Sequence, residues 1–139
     1  MDVPGLIRDV LESIRFSSEW NEAVPVLGNR QEMRQVIWNL VLNAVQAMPG
    51  GGRMEVRTST VQENGRAYLA VAVSDQGDGV QAEDPMRVFE PFFTTREKGT
   101  GLGLAVVKRI TESHGGTVRV ESMPGRGSTF TLFFPGYEG

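Results

Sequence analysis

The sequence predicts an α+β fold, a two-layer sandwich in which helices cover one face of a mixed, mostly antiparallel sheet. Three observations carry this. An apolar stripe at helical spacing runs from Gln31 to Met48 and is stopped by Pro49-Gly50-Gly51-Gly52. The later strands come in pairs joined by tight turns, at Asn64-Gly65 and at Pro124-Gly125-Arg126-Gly127. Helices set among hairpin-linked strands favour this sandwich over a doubly wound parallel sheet.

Taken in order, Leu6, Ile7, Val10, Leu11 and Ile14 recur at helical spacing after Pro4, which predicts a short amphipathic helix from Val3 to Arg15. A polar connection follows. Ala23 to Leu27 reads as a peripheral strand, its Pro25 suiting an edge or a strand start, and Gly28-Asn29 ends it. In the second helix, Met33, Val36, Ile37, Leu40, Ala44 and Met48 make the buried stripe. Met54, Val56 and Thr58 then alternate with Glu55, Arg57 and Ser59, and a partner strand runs from Ala67 to Ser74. From Gln76 to Gly99 periodicity gives way to Gly, Pro, Asp, Thr and charge, a length that predicts a functional lid. A third helix spans Leu102 to Ser113 and ends at Gly115-Gly116. The last hairpin pairs Thr117 to Ser122 with Ser128 to Phe134.

With 139 residues, 40% hydrophobic and 22% charged, one globular domain spanning 1–139 is expected. A net charge of -3 offers no basic face for nucleic acid or anionic membrane. The absence of cysteine excludes disulfides, thiolate zinc sites and thiol nucleophiles. With no long apolar run and no signal-peptide pattern at Met1-Asp2-Val3-Pro4, a soluble piece is expected. It is read as a cytoplasmic monomer, either free or as the cytoplasmic portion of a membrane-anchored protein.

Three constellations carry chemistry. Asn39, Asn43 and Gln46 lie at i, i+4 and i+7 on the second helix, a polar line beside the apolar stripe. Asparagine is a mediocre helix former, so the pair either bonds a neighbouring loop or serves a ligand. An amide oxygen can ligate Mg²⁺ while leaving room for water and phosphate, which makes Asn43 the metal candidate. Asp75-Gln76-Gly77-Asp78-Gly79 stands at a predicted strand end. It reads as a turn, or as a carboxylate accepting from the amine of adenine, with glycines that let backbone approach the base. Lys98-Gly99-Thr100-Gly101-Leu102-Gly103-Leu104 runs straight into a helix, where glycines and free N–H groups cradle phosphate and Lys98 and Arg96 add charge. It fits neither the Rossmann fingerprint nor the P-loop. The aromatics of Val88 to Thr95 are read as anchoring the loop, and His114, the sole histidine, as structural or capping.

In this order the motifs resemble the catalytic and ATP-binding domain of sensor histidine kinases, in the superfamily that also holds gyrase-type, heat-shock chaperone and mismatch-repair ATPases. Asn39-Leu40-Val41-Leu42-Asn43-Ala44 resembles its N box, and Asp75-Gln76-Gly77-Asp78-Gly79 its first glycine box. Phe89-Glu90-Pro91-Phe92-Phe93 resembles its F box, in wording most similar to nitrogen-regulation-type kinases. Gly99 to Leu104 resembles the second glycine box, and Gly125-Arg126-Gly127-Ser128-Thr129-Phe130 the last turn. The resemblance implies a Bergerat-type sandwich that binds ATP with Mg²⁺. Asn43 would hold the metal, Asp75 the adenine amine and Thr129 the adenine through water. Gln46, Ala47, Gly77, Gly79, Val80 and Phe92 would line the nucleotide, and Lys98, Gly99, Thr100, Gly101, Leu102, Gly103 and Leu104 its phosphates. Asn39 joins Asn43 as a catalytic candidate.

There are departures. Asn39 stands where the superfamily's hydrolases carry a water-activating glutamate, which favours transfer over hydrolysis. Gln46 stands where many relatives are basic, and the stretch before Val24 is short enough to put an edge strand in question. No acceptor histidine with an acidic neighbour occurs before Asn21. The chain alone is therefore expected not to autophosphorylate. The expected partners are the dimerisation and phosphoacceptor domain of its own full-length chain and a response regulator. The alternatives are a serine kinase or anti-sigma-type regulator of the same superfamily, and a nucleotide-binding module without catalysis.

Overall fold

The computed structural model describes residues 2–3, 5, 17–20, 26–48, 50–80, 83–91 and 103–136. Five strands form one sheet: β1 (Ser17–Trp20), β2 (Glu55–Glu63), β3 (Arg66–Asp75), β4 (Thr117–Met123) and β5 (Gly127–Pro135), in the order β1-β2-β3-β5-β4. All neighbours pair antiparallel except β1 with β2, which are parallel. Two helices, α1 (Arg30–Ala47) and α2 (Gly103–Ser113), pack on one face, as the sequence predicts. Of the first predicted helix, only Val3 and Gly5 fall among the described residues with helical backbone, and Val3 is buried.

Asn29 caps α1, its side-chain oxygen accepting from the Glu32 N–H at 2.9 Å. Met33, Val36, Ile37, Leu40 and Ala44 are buried as the periodicity predicts. They meet Leu69, Val71 and Val73 of β3, and Val107 and Ile110 of α2 close the layer against Phe130, Leu132 and Phe134 of β5. The β2–β3 hairpin turns on Asn64 (φ 51°) and Gly65 (φ 77°), the paired positive angles of a type I′ turn.

Two expectations are corrected, and one is filled in. The polar connection before Asn21 contains β1, while Val26 and Leu27, read as the end of a strand, are outside any strand. β1 is defined by its parallel pairing with β2, a signal that the short run Ser17-Ser18-Glu19-Trp20 does not carry as apolar alternation. Val26 is apolar for another reason, being buried as an anchor beside an exposed Leu27. Finally, the stretch read as a lid contains a 3-10 helix, Pro85–Phe89, capped by the Asp84 side chain on the Met86 N–H at 3.0 Å. Val88 and Phe89 are buried, and Phe89 meets Phe130 edge to face with centroids 6.1 Å apart. That agrees with the anchoring read from the aromatics.

Candidate functional site

α1 and α2 run antiparallel and are tied at both ends of α2. At one end the Asn39 amide Nδ2 donates to the carbonyl of Gly103, the first residue of α2, at 3.2 Å. At the other, His114 Nε2 accepts from the Asn29 N–H at 3.0 Å, and Nδ1 stands 2.8 Å from the Ile110 carbonyl. A carbonyl can only accept, so Nδ1 carries the proton and the ring is the neutral Nδ1–H tautomer. His114 is thus a structural clamp, as its position beside Gly115-Gly116 suggested.

The polar line on α1 divides. Asn39 is half-buried, Gln46 is exposed, and Asn43 is only 8% exposed, packed in line with Leu40 and Ala44 rather than on a separate face. Burying an amide in such company is costly unless something polar meets it. Ala47 ends the helix against the loop that follows β3.

That loop begins at Asp75, 7% exposed at the end of β3, whose carboxylate accepts from the Gly77 N–H at 2.9 Å. Gly77 presses on α1 so closely that a Cβ there would collide with the Ala47 carbonyl oxygen. Gly79 (φ 79°) also lies close to the Met123 carbonyl, where its Cβ would fall 2.7 Å away. These glycines therefore permit contacts within the chain, in addition to any approach of a base. The loop is tied on three sides. Gly125 N–H donates to the Asp78 carbonyl at 2.7 Å, Val80 N–H to Ser122 Oγ at 2.6 Å, and Arg53 N–H to Gln76 Oε1 at 3.1 Å. Val80 itself packs against the core.

The last turn differs from the expectation. Thr129 lies on the outer face of the sheet, its hydroxyl 2.8 Å from that of Ser74. Ser128, on the inner face with Phe130 and Leu132, stands opposite Asp75 in the ladder and is buried. The strand alternation carried this information, since two steps back from Phe130 is Ser128 and not Thr129. Of the phosphate motif, Gly103 opens α2 with no atom of the described residues within 4 Å of where a Cβ would stand, and Leu104 packs its side chain against the core. Phe92, Lys98, Gly99, Thr100, Gly101 and Leu102 lie outside the described residues.

A helix amide, a strand-end carboxylate and a helix N-terminus are thus gathered on elements in mutual contact at one end of the sandwich. No group of three His, Cys, Asp or Glu able to hold a metal occurs among the described residues. The single oxygen donor of Asn43 fits Mg²⁺ that arrives coordinated by phosphates better than a protein-built metal cage. Fold and site together define an ATP-binding α+β sandwich.

The chain belongs to the histidine kinase-, DNA gyrase B- and HSP90-like ATPase family, whose model matches residues 28–138. It is 40% identical over 123 residues to the signal transduction histidine-protein kinase AtoS of Escherichia coli strain K12, and 44% identical over 123 residues to the sensor histidine kinase ZraS of the same strain. Each alignment takes in 88% of this chain but only 20% and 25% of those proteins, so the chain spans about a quarter or less of their length. Among solved structures, the catalytic domain of the histidine kinase ThkA matches with a TM-score of 0.77 and 32% identity, over 98% of this chain and 93% of that one. Full-length ShkA in complex with AMPPNP matches with a TM-score of 0.80 and 30% identity, over 100% of this chain and 31% of that one.

Proposed function

We propose that this domain binds ATP with Mg²⁺ and transfers the γ-phosphoryl group to a histidine on the dimerisation domain of its own full-length chain, in the cytoplasm, upstream of a response regulator. The observation that carries transfer over hydrolysis is the Asn39 amide, committed as a donor to the Gly103 carbonyl. An amide has no basic lone pair with which to deprotonate water, and here its N–H serves the fold. An acceptor imidazole brings its own nucleophilic nitrogen, so no base on this chain is needed.

In this reading Asp75 accepts from the adenine amine, and its buried setting at the strand end holds that acceptor rigidly. Asn43 would hold the metal through its amide oxygen, and the bound metal would supply positive charge against the negative charge developing on the phosphates. The Asn39 tie holds the Gly103 end of α2 against α1, and the N–H groups of that helix terminus would receive the phosphate oxygens. Transfer forms a phosphorus–nitrogen bond on the acceptor and breaks the bond from the γ-phosphorus to the bridging oxygen, releasing ADP. Full-length ShkA, a relative at 30% identity, is in complex with AMPPNP, which supports nucleotide binding by this chain.

The test mixes the chain and γ-labelled ATP with the dimerisation domain of the same natural protein. Acid-labile, alkali-stable label on that domain is expected. Label on serine of any partner would replace the reading with a serine kinase, and ATP binding without transfer would leave a nucleotide-sensing module.

A further inference from the structure

Three polar side chains form a row across the end of the sheet on its helix-facing side. Asp75 on β3 stands opposite Ser128 on β5, and Ser128 stands opposite Ser122 on β4. Two residues along each strand this face carries Val73, Phe130 and Val120, all buried apolar groups. A polar row there is a local departure from the pattern of the face.

The outermost hydroxyl does the most. Ser122 Oγ lies 2.6 Å from the Val80 nitrogen and 3.1 Å from Ser128 Oγ. A backbone N–H can only donate, so the Ser122 oxygen accepts from Val80. Its own proton is then directed at Ser128 Oγ or, at 3.5 Å, at the Gly127 carbonyl. Val80 is the residue by which the chain leaves the Asp75 to Gly79 loop. One hydroxyl therefore joins the exit of that loop to the strand pair from which Asp75 projects.

We propose that Ser122 is a positioning residue for base recognition, setting the Val80 end of the loop against the Asp75–Ser128 pair and so the selectivity for adenine. The inference rests on Asp75 being the adenine contact. Ser122 acts through Val80 and Ser128 and need not touch the nucleotide. Its loss leaves the Val80 N–H without that acceptor and frees the loop exit to move relative to the carboxylate. A purely structural serine would lower stability and weaken every nucleotide alike, whereas a positioning serine changes the ratio between bases.

The experiment measures, by calorimetry with the 139-residue chain, the preference for ADP over inosine diphosphate, which carries a carbonyl where adenine carries its amine. Ser122→Ala is expected to reduce that preference roughly three- to tenfold, the scale of one lost hydrogen bond. Ser122→Thr keeps the hydroxyl and should retain the preference of the natural chain. Should Ser122→Ala fail to fold, Ser122→Cys, of similar volume but a weaker acceptor, must show the same fall. A preference in the folded variant within about twofold of the natural value, on the scale of measurement rather than of a hydrogen bond, overturns the proposal. Asp75→Asn separates the two levels of argument. If the natural chain prefers ADP and only Asp75→Asn abolishes this, the role of Ser122 falls and that of Asp75 stands; if the natural chain shows no preference, both fall.

Discussion

Asp75 and Asn43 are both buried polar residues, but the chemistry they offer differs and so do the consequences of changing them. Asp75→Asn retains one side-chain oxygen and loses the charge and the second acceptor. Because a charged partner strengthens a hydrogen bond to about 1.5–3 kcal/mol, ADP affinity is expected to fall roughly ten- to hundredfold. Asn43→Ala should behave otherwise, leaving ADP affinity in a chelator close to that of the natural chain and removing the gain on adding Mg²⁺. Titration calorimetry with and without Mg²⁺ checks both, and equal ADP binding by Asp75→Asn and the natural chain would sink the adenine assignment. Both residues stood out in the sequence, Asn43 as a mediocre helix former inside a helix and Asp75 as an acidic residue leading Gly77 and Gly79 at a strand end. Ser128 did not stand out. Serine is unremarkable in a turn; alternation back from Phe130 puts it, and not Thr129, on the inner face, and the register of β5 against β3 sets it opposite Asp75.

The helix pair and the loop after β3 are arranged by contacts between elements that lie far apart in sequence. Asn39 meets Gly103 and Asn29 meets His114, so α2 is held at each end by a residue of α1 or its cap. His114→Ala removes the ring's hydrogen bonds to Asn29, Ile110 and Ser113 and the edge-to-face contact with Phe134, whose centroid lies 6.4 Å away. A loss of about 1–3 kcal/mol of stability is expected in chemical denaturation, with the ADP-to-inosine-diphosphate preference unaffected. Gly77→Ala is the sharper case. The added methyl meets the Ala47 backbone carbonyl, which cannot swing aside as a side chain would. The loop must therefore lift off α1, and ADP affinity should fall along with stability. A Gly77→Ala variant with natural affinity would show that the loop's seat on Ala47 is irrelevant to the site. At this scale α1 and the β2–β3 hairpin were legible because 3.6- and 2-residue periodicities and an Asn-Gly turn are local signals. β1 was not, because an edge strand is defined by what it pairs with. The 3-10 helix at Pro85–Phe89 is too short to show a period at all.

For the molecule as a whole, the candidate site is assembled from α1, the end of β3, the β4–β5 hairpin and the start of α2, so a ligand there bridges both layers of the sandwich. No helix among the described residues is long and apolar enough to cross a membrane. Binding to the folded chain alone stabilises it by mass action, by about 2.7 kcal/mol at a ligand concentration a hundred times Kd. Unfolding entropy near 2.1 cal/mol/K per residue then places the rise in Tm at about 9 °C for 139 residues. The rise should appear with ADP plus Mg²⁺ in the natural chain and shrink when Mg²⁺ is withheld. In Asn43→Ala it should be the same with and without Mg²⁺, and in Asp75→Asn it should be much reduced even with Mg²⁺ present. Ser122→Ala should keep most of its rise with ADP while showing a smaller contrast with inosine diphosphate. A ligand held by one element alone would satisfy none of this joint pattern, because a variant on α1 and a variant on β3 would not both alter the same melting transition. A rise in Tm that neither Asn43→Ala nor Asp75→Asn alters would mean that the nucleotide binds elsewhere on the domain, and the assembly of these elements into one site would have to be abandoned.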